Sequence, residues 1–122
     1  MSFLKAFSKS FHYAFQGIEF AFSNNFNLLF HLIVALLVIA ASILLQLSTE
    51  EIVVVLLTIT VVLCAEMINT ALEEMVNLIT NEHRKEAKIA KDVGAGMVLV
   101  ASIGSVIIGL LIFIPHLLFL LK

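Results

Sequence analysis

Glu66, Asn69, Glu73 and Asn77 recur at intervals of three, four and four along the chain. At 100° per residue a helix places them within about 80° of arc, as one stripe, with Thr70 on the same face and Glu74 at its margin. Residues 52–65 ahead of the stripe are free of charge, so the stripe starts inside or at the edge of an apolar layer and runs out of it. Carboxylates with amide neighbours suit a hard divalent cation, above all magnesium carried with phosphates. A lone carboxylate in such a setting also suits a general base. Holding it at the centre of a membrane helix costs about 2.5–3.5 kcal/mol, less near the interface, so the default reading is functional. Helix-to-helix glue, or pairing with nearby Lys and Arg, explains one such carboxylate better than four polar residues in register.

A second cluster follows at residues 80–92, where Glu82, His83, Arg84, Lys85, Glu86, Lys88, Lys91 and Asp92 fall together. A solvated turn that fixes topology accounts for most of these charges. Lys91 and Asp92 differ, because they open the next apolar run at a depth similar to Glu73, where an ammonium can hold phosphate oxygens as a point charge. The chain has no GxxxxGK[ST] phosphate loop and no protein-kinase motif set. Gly94-Ala95-Gly96 is too short a glycine signal to carry a function by itself.

The elements that position these residues follow from composition. The chain has 122 residues, 61% of them hydrophobic, a mean hydropathy of +1.13 and 13% charged residues, against about 25% charged in an ordinary soluble domain. This is the composition of a small all-helical integral membrane protein, one domain over residues 1–122. A net charge of −2 offers no basic excess for a nucleic-acid backbone. The single cysteine, Cys64, excludes a disulfide within the chain, and no Cys/His cluster reads as a zinc site.

Three membrane helices are expected, at about residues 28–47, 50–80 and 88–121. The first is long enough to cross a bilayer core of about 30 Å. Ser48 and Glu51 form a capping-box pattern for the second. Its apolar part is too short to cross alone, so the helix should continue through the polar stripe. Pro115 predicts a kink or fraying near the end of the third. A cleaved signal peptide fits poorly, since the first apolar run starts late and two more follow. Lys5 and Lys9 precede the first span, and the basic cluster separates the second and third, which puts the N-terminus and the second loop in the cytoplasm. Phe3, Phe7, Phe11, Phe15, Ile18 and Phe22 mark one face of an amphipathic helix over residues 1–22, suited to the membrane interface; packing on the bundle is the alternative. Ala101, Ser105 and Gly109 form a small-residue face that permits close helix approach, within or between chains. His31, Cys64 and His116 stand singly in apolar stretches and read as structural.

The segment Glu66-Met-Ile-Asn-Thr-Ala-Leu-Glu73, followed by Ala87-Lys-Ile-Ala-Lys-Asp-Val-Gly-Ala-Gly96, resembles the signature of the small bacterial integral-membrane lipid kinases, the prokaryotic diacylglycerol kinases and their undecaprenol kinase relatives. The resemblance covers nearly the whole chain. It implies a homotrimer in the bacterial inner membrane, with composite sites at the cytoplasmic edge, that transfers the γ-phosphate of MgATP to a lipid hydroxyl. On these residues it implies Glu66 as catalytic base, with Asn69 beside it and Glu73 as ligand to the magnesium. Glu82, His83 and Arg84 match the ATP-contacting loop, Lys91 and Asp92 a pair on phosphate and ribose or metal-side groups, and Lys9 and Tyr13 positions on the surface helix near nucleotide. Three departures stand out. Asn25 replaces the usual glutamate, a second metal ligand, and keeps only a neutral oxygen donor; Asn77 stands where aspartate is common, and Leu29 where a basic residue is common. They bear on the number of metals bound and on the level of activity. The competing readings are an ion or proton pathway and a kinase-like protein that has lost activity. A lone chain is expected to leave the Glu66–Asn77 stripe facing lipid, which argues for a homo-oligomer.

Overall fold

The structure is a computed structural model that describes residues 2–122. It consists of α1 (Phe3–Asn24), α2 (Phe26–Leu44), α3 (Thr49–Ile79) and α4 (Lys85–Leu120), with no strand among the described residues. The helices α2, α3 and α4 are long and apolar enough to cross a membrane.

Helix α1 buries only Ala21. Phe3, Phe7, Phe11 and Phe15 are exposed, so the aromatic stripe does not pack on its own chain and remains free for an interface. A single extended residue, Asn25, separates α1 from α2. Its side-chain oxygen accepts a hydrogen bond from the Leu28 N–H at 3.2 Å, satisfying one of the donors that a helix start leaves open.

Helix α2 stops at Leu44, three residues short of the expected end. Gln46 adopts a left-handed backbone with φ of 54°. The Gln46 N–H then reaches the Ile43 carbonyl and the Leu47 N–H the Ser42 carbonyl, each at 3.1 Å. That is the double closure of a Schellman motif, built here on glutamine instead of glycine. Leu47 folds back and is buried.

The expected capping box opens α3. Ser48 Oγ accepts from the Glu51 N–H at 3.2 Å, and Glu51 Oε2 accepts from the Ser48 N–H at 2.9 Å. From there α3 runs unbroken through the polar stripe for 31 residues, about 46 Å, which exceeds a bilayer core by several turns. Helix α4 starts three residues earlier than expected and continues through Pro115 to Leu120. The fraying expected at Pro115 does not occur. The ring removes one hydrogen bond, and the helix continues past it for five residues.

Helix α3 is the central element. Helices α4 and α2 each pack against it and α1 approaches α2 and α3, while the backbones of α2 and α4 stay apart among the described residues. The seam is made by Leu28 and Ala35 of α2, Val55, Val62 and Ala65 of α3, and Val98 of α4, all buried. Polar ties join α3 to α4 at both ends. Lys91 Nζ donates to Asn77 Oδ1 at 2.8 Å, and His116 Nε2 lies 3.0 Å from Glu51 Oε2. The polar ties from α2 and the Asn25 junction to α3 all lie at one end, as described next.

Candidate active site

At Ala65 the α3 sequence changes from apolar to polar, and Glu66 sits where α3 meets the α1–α2 junction. Glu66 is 2% exposed. Its Oε2 accepts from Asn25 Nδ2 at 3.1 Å, and its Oε1 lies 3.3 Å from His31 Nε2. Asn25 Nδ2 also donates to Thr70 Oγ1 at 2.8 Å, and that hydroxyl donates to the Glu66 carbonyl at 3.0 Å. The junction is thereby fastened directly onto the carboxylate. The amide can face only this way, since the reverse would set an acceptor against Glu66 and deprive the Leu28 N–H of its partner. The oxygen that Asn25 was expected to offer a metal is therefore the α2 cap, and the group it turns toward Glu66 is a donor. His31, expected to be structural, proves to be a partner of Glu66. His116, likewise, pairs with Glu51, whereas Cys64 is exposed and unbridged.

One turn along α3, Asn69 is 7% exposed and donates from Nδ2 to Glu73 Oε1 at 3.2 Å. Its Oδ1 is buried without a hydrogen-bond partner and faces Gly94 of α4, where an added Cβ would lie 2.5 Å away. The glycine that looked uninformative in sequence is what makes room for Asn69. Glu73, Glu74 and Asn77 are exposed. The expectation that a lone chain leaves the whole stripe facing lipid thus fails for its deeper half, because the α1–α2 junction and α4 cover Glu66, Asn69 and Thr70. Its outer half is left uncovered by this chain.

The second cluster lies beyond Glu73. Gly94 packs at Asn69 and Leu72, so the antiparallel register puts the Lys91 backbone near Glu73, as expected. The ammonium extends a further turn, to Asn77. Glu66 lies about 10 Å deeper than Glu73 along the axis, so base, ligand and cation do not share one depth but descend through three turns. Asp92 does not work as a pair with Lys91: it points to the next face and pairs with Lys88. Arg84 Nη2 lies 3.1 Å from Glu82 Oε2. A pocket of about 700 Å³ opens here between the end of α3, the loop carrying Glu82, His83 and Arg84, and the start of α4 with Lys85, Lys88 and Lys91. Among the described residues, Lys85 and Lys91 make no ion pair, so their charges are left for an anion. Lys9 and Tyr13 are exposed on α1, and no hydrogen bond or ion pair among the described residues joins them to either cluster.

A cavity of about 360 Å³ lies between α2 and α4 across α3, lined by Val34, Ala35 and Val38, by Val55 and Val62, and by Ser105, Gly109 and Phe113, with His31 contributing a polar edge. A Cβ added to Gly109 would meet nothing within 4 Å. Gly109 therefore leaves space within the chain and does not draw helices together at that point.

Among the described residues no three His, Cys, Asp or Glu side chains gather as a metal site. Glu73 with its Asn69 neighbour, whose buried oxygen lacks a donor, does suit an ion that arrives mostly liganded by phosphate and water.

Residues 12–113 match a family described as prokaryotic diacylglycerol kinase. The chain is 42% identical over 113 residues to a diacylglycerol kinase of Synechocystis, covering 92% of this chain and 65% of that longer protein. It is 42% identical over 114 residues to an undecaprenol kinase of Bacillus subtilis, covering 93% of each.

Proposed function

The chain belongs to the prokaryotic diacylglycerol kinase family, and from that premise we propose that it is a lipid kinase that transfers the γ-phosphate of MgATP directly to the hydroxyl of a membrane lipid, with Glu66 as general base. The observation that carries this reading is Glu66 itself, 2% exposed at the apolar end of the polar stripe, with the Asn25 amide donating to one carboxylate oxygen and the His31 ring nitrogen 3.3 Å from the other. A carboxylate so held takes the hydroxyl proton as the lipid oxygen attacks the γ-phosphorus. The new O–P bond forms while the bond to ADP breaks, and little covalent work is asked of the protein beyond positioning and charge stabilisation.

The pocket at the outer end of α3 supports a nucleotide site. Lys91 and Lys85 supply unbalanced positive charge for the phosphates, Glu82, His83 and Arg84 line the same pocket, and Asp92 acts from outside it through Lys88. Glu73, oriented by Asn69, would hold the magnesium of MgATP, whose contribution is to neutralise charge on the β- and γ-phosphates. Lys9 and Tyr13 remain candidates for the nucleotide's cytoplasmic side. Undecaprenol is the first acceptor to offer, because the undecaprenol kinase relative is matched over 93% of both lengths; diacylglycerol is the other. The reading includes a bacterial inner-membrane location with the N-terminus and second loop cytoplasmic, and a homotrimer. The exposed Glu73, Glu74 and Asn77 are the groups a neighbouring chain would complete.

The test is purified protein in mixed micelles with labelled ATP, given undecaprenol and diacylglycerol side by side. Label should pass to one of the two lipids. Glu66→Gln should lower turnover by about 10²–10⁴ with ATP affinity kept. Failure to label either lipid overturns the kinase reading, and normal turnover in Glu66→Gln removes that residue from its role.

A further inference from the structure

We propose that His31 is the positioning residue that orients the Glu66 carboxylate for proton abstraction, a role that rests on Glu66 being the base. Nε2 of His31 lies 3.3 Å from Glu66 Oε1, and Asn25 holds Oε2. Asn25 at the α1–α2 junction donates to one oxygen and the His31 ring nitrogen of α2 lies beside the other, so the two side chains restrain the carboxylate's last torsion. Glu66 is 2% exposed, which leaves little room for water to replace either contact. The two contacts are not equivalent. Asn25 also caps α2 and bonds Thr70, so it has structural duties whatever Glu66 does. Among the described residues His31 makes no other polar side-chain contact, and it is the one ionisable side chain paired with Glu66. Its ring also edges the apolar cavity, which sets it between the base and the side from which a membrane-borne alcohol arrives. With Nε2 protonated as the donor, His31 keeps its proton throughout, and the proton of the lipid hydroxyl goes to Glu66.

Removing that donor frees the carboxylate to swing by about an ångström, a misplacement that can cost about 10²-fold in rate. His31→Phe should lower kcat 10- to 100-fold with KM for ATP unchanged. His31→Gln carries an amide nitrogen near the place of Nε2 and should recover most of the loss, whereas His31→Asn is too short and should not. In a Glu66→Gln background, His31→Phe should cost nothing further, because no base is left to orient. Parent kcat in His31→Phe overturns the proposal. So does an equal loss on top of Glu66→Gln, which marks a merely structural histidine, or equal activity of His31→Gln and His31→Asn should His31→Phe fail to fold. Full activity of Glu66→Gln alone fails the base assignment instead, and the two failures are told apart by that variant.

Discussion

Replacing Gly94 by alanine tests how tightly α4 holds the polar stripe. An added Cβ would lie 2.5 Å from Asn69 Oδ1 and 3.4 Å from Leu72 Cδ1. The second is an ordinary contact; the first falls short of one by nearly an ångström. Asn69 cannot yield freely, since it is 7% exposed and bonded to Glu73. It must therefore rotate away from Glu73 or push α4 off α3. Overpacking of this kind costs about 1–3 kcal/mol, while alanine returns about 1 kcal/mol through its helix preference. The net loss of stability is then only about 0–2 kcal/mol. Activity should suffer more, because displacing Asn69 and Glu73 by about an ångström lowers turnover by up to about 10²-fold. Gly96→Ala is the control: nothing lies within 4 Å of its added Cβ, so it should be fully active and stabler by up to about 1 kcal/mol. Lipid kinase turnover and thermal melting in detergent, run on both variants, make the comparison. Equal activity of Gly94→Ala and Gly96→Ala would refute the claim that Gly94 exists to seat Asn69.

Two further outcomes follow from other contacts. Asn25→Asp keeps a good helix cap but exchanges the donor to Glu66 for a like charge; a lost hydrogen bond to a charged group is worth about 1.5–3 kcal/mol, so kcat should fall about 10- to 100-fold, with partial recovery as magnesium is raised, and a magnesium titration matching the parent would contradict it. Gln46→Gly relieves a left-handed backbone with φ of 54° and should add about 1 kcal/mol of stability without touching activity, read as a higher melting midpoint in detergent.

The helices themselves were plain in the sequence, because hydropathy and the Ser48–Glu51 pattern are local properties and both survive intact in the fold. Continuation of α3 through Glu66 to Ile79 could be argued from length alone. What a single sequence does not carry is which residue of one helix meets which residue of another. His31 has no periodic partner on α2, so nothing announced that it would reach Glu66. Asn25 looked like a weakened metal ligand, since its cap role depends on α2 starting at the very next residue. Gly94 gained meaning only from the register of α4 on α3. The left-handed Gln46 escaped notice because such a turn usually announces itself with glycine, and α4 does not fray at Pro115 because a helix in an apolar layer tolerates proline that would end one in water.

The distribution of polar ties makes the bundle unevenly stiff. Helices α3 and α4 are clasped at both ends, through Lys91 with Asn77 and through His116 with Glu51. Among the described residues, the polar contacts of α2 to α3 fall within its first two turns and the adjoining Asn25, its backbone stays apart from that of α4, and it packs on α3 farther along through apolar side chains. At its far end α2 is tied to α3 by the short connection over residues 45–48, closed by the Gln46 and Leu47 backbone bonds and the capping box. Its polar anchor and its covalent tether thus lie at opposite ends, with apolar packing between them. Loosening of that middle stretch leaves the Asn25 and His31 contacts to Glu66 in place. Movement of α2 against α3 is therefore mechanically separate from the geometry of the base, and amide hydrogen exchange should be faster in the middle of α2 than along the clasped α3–α4 pair.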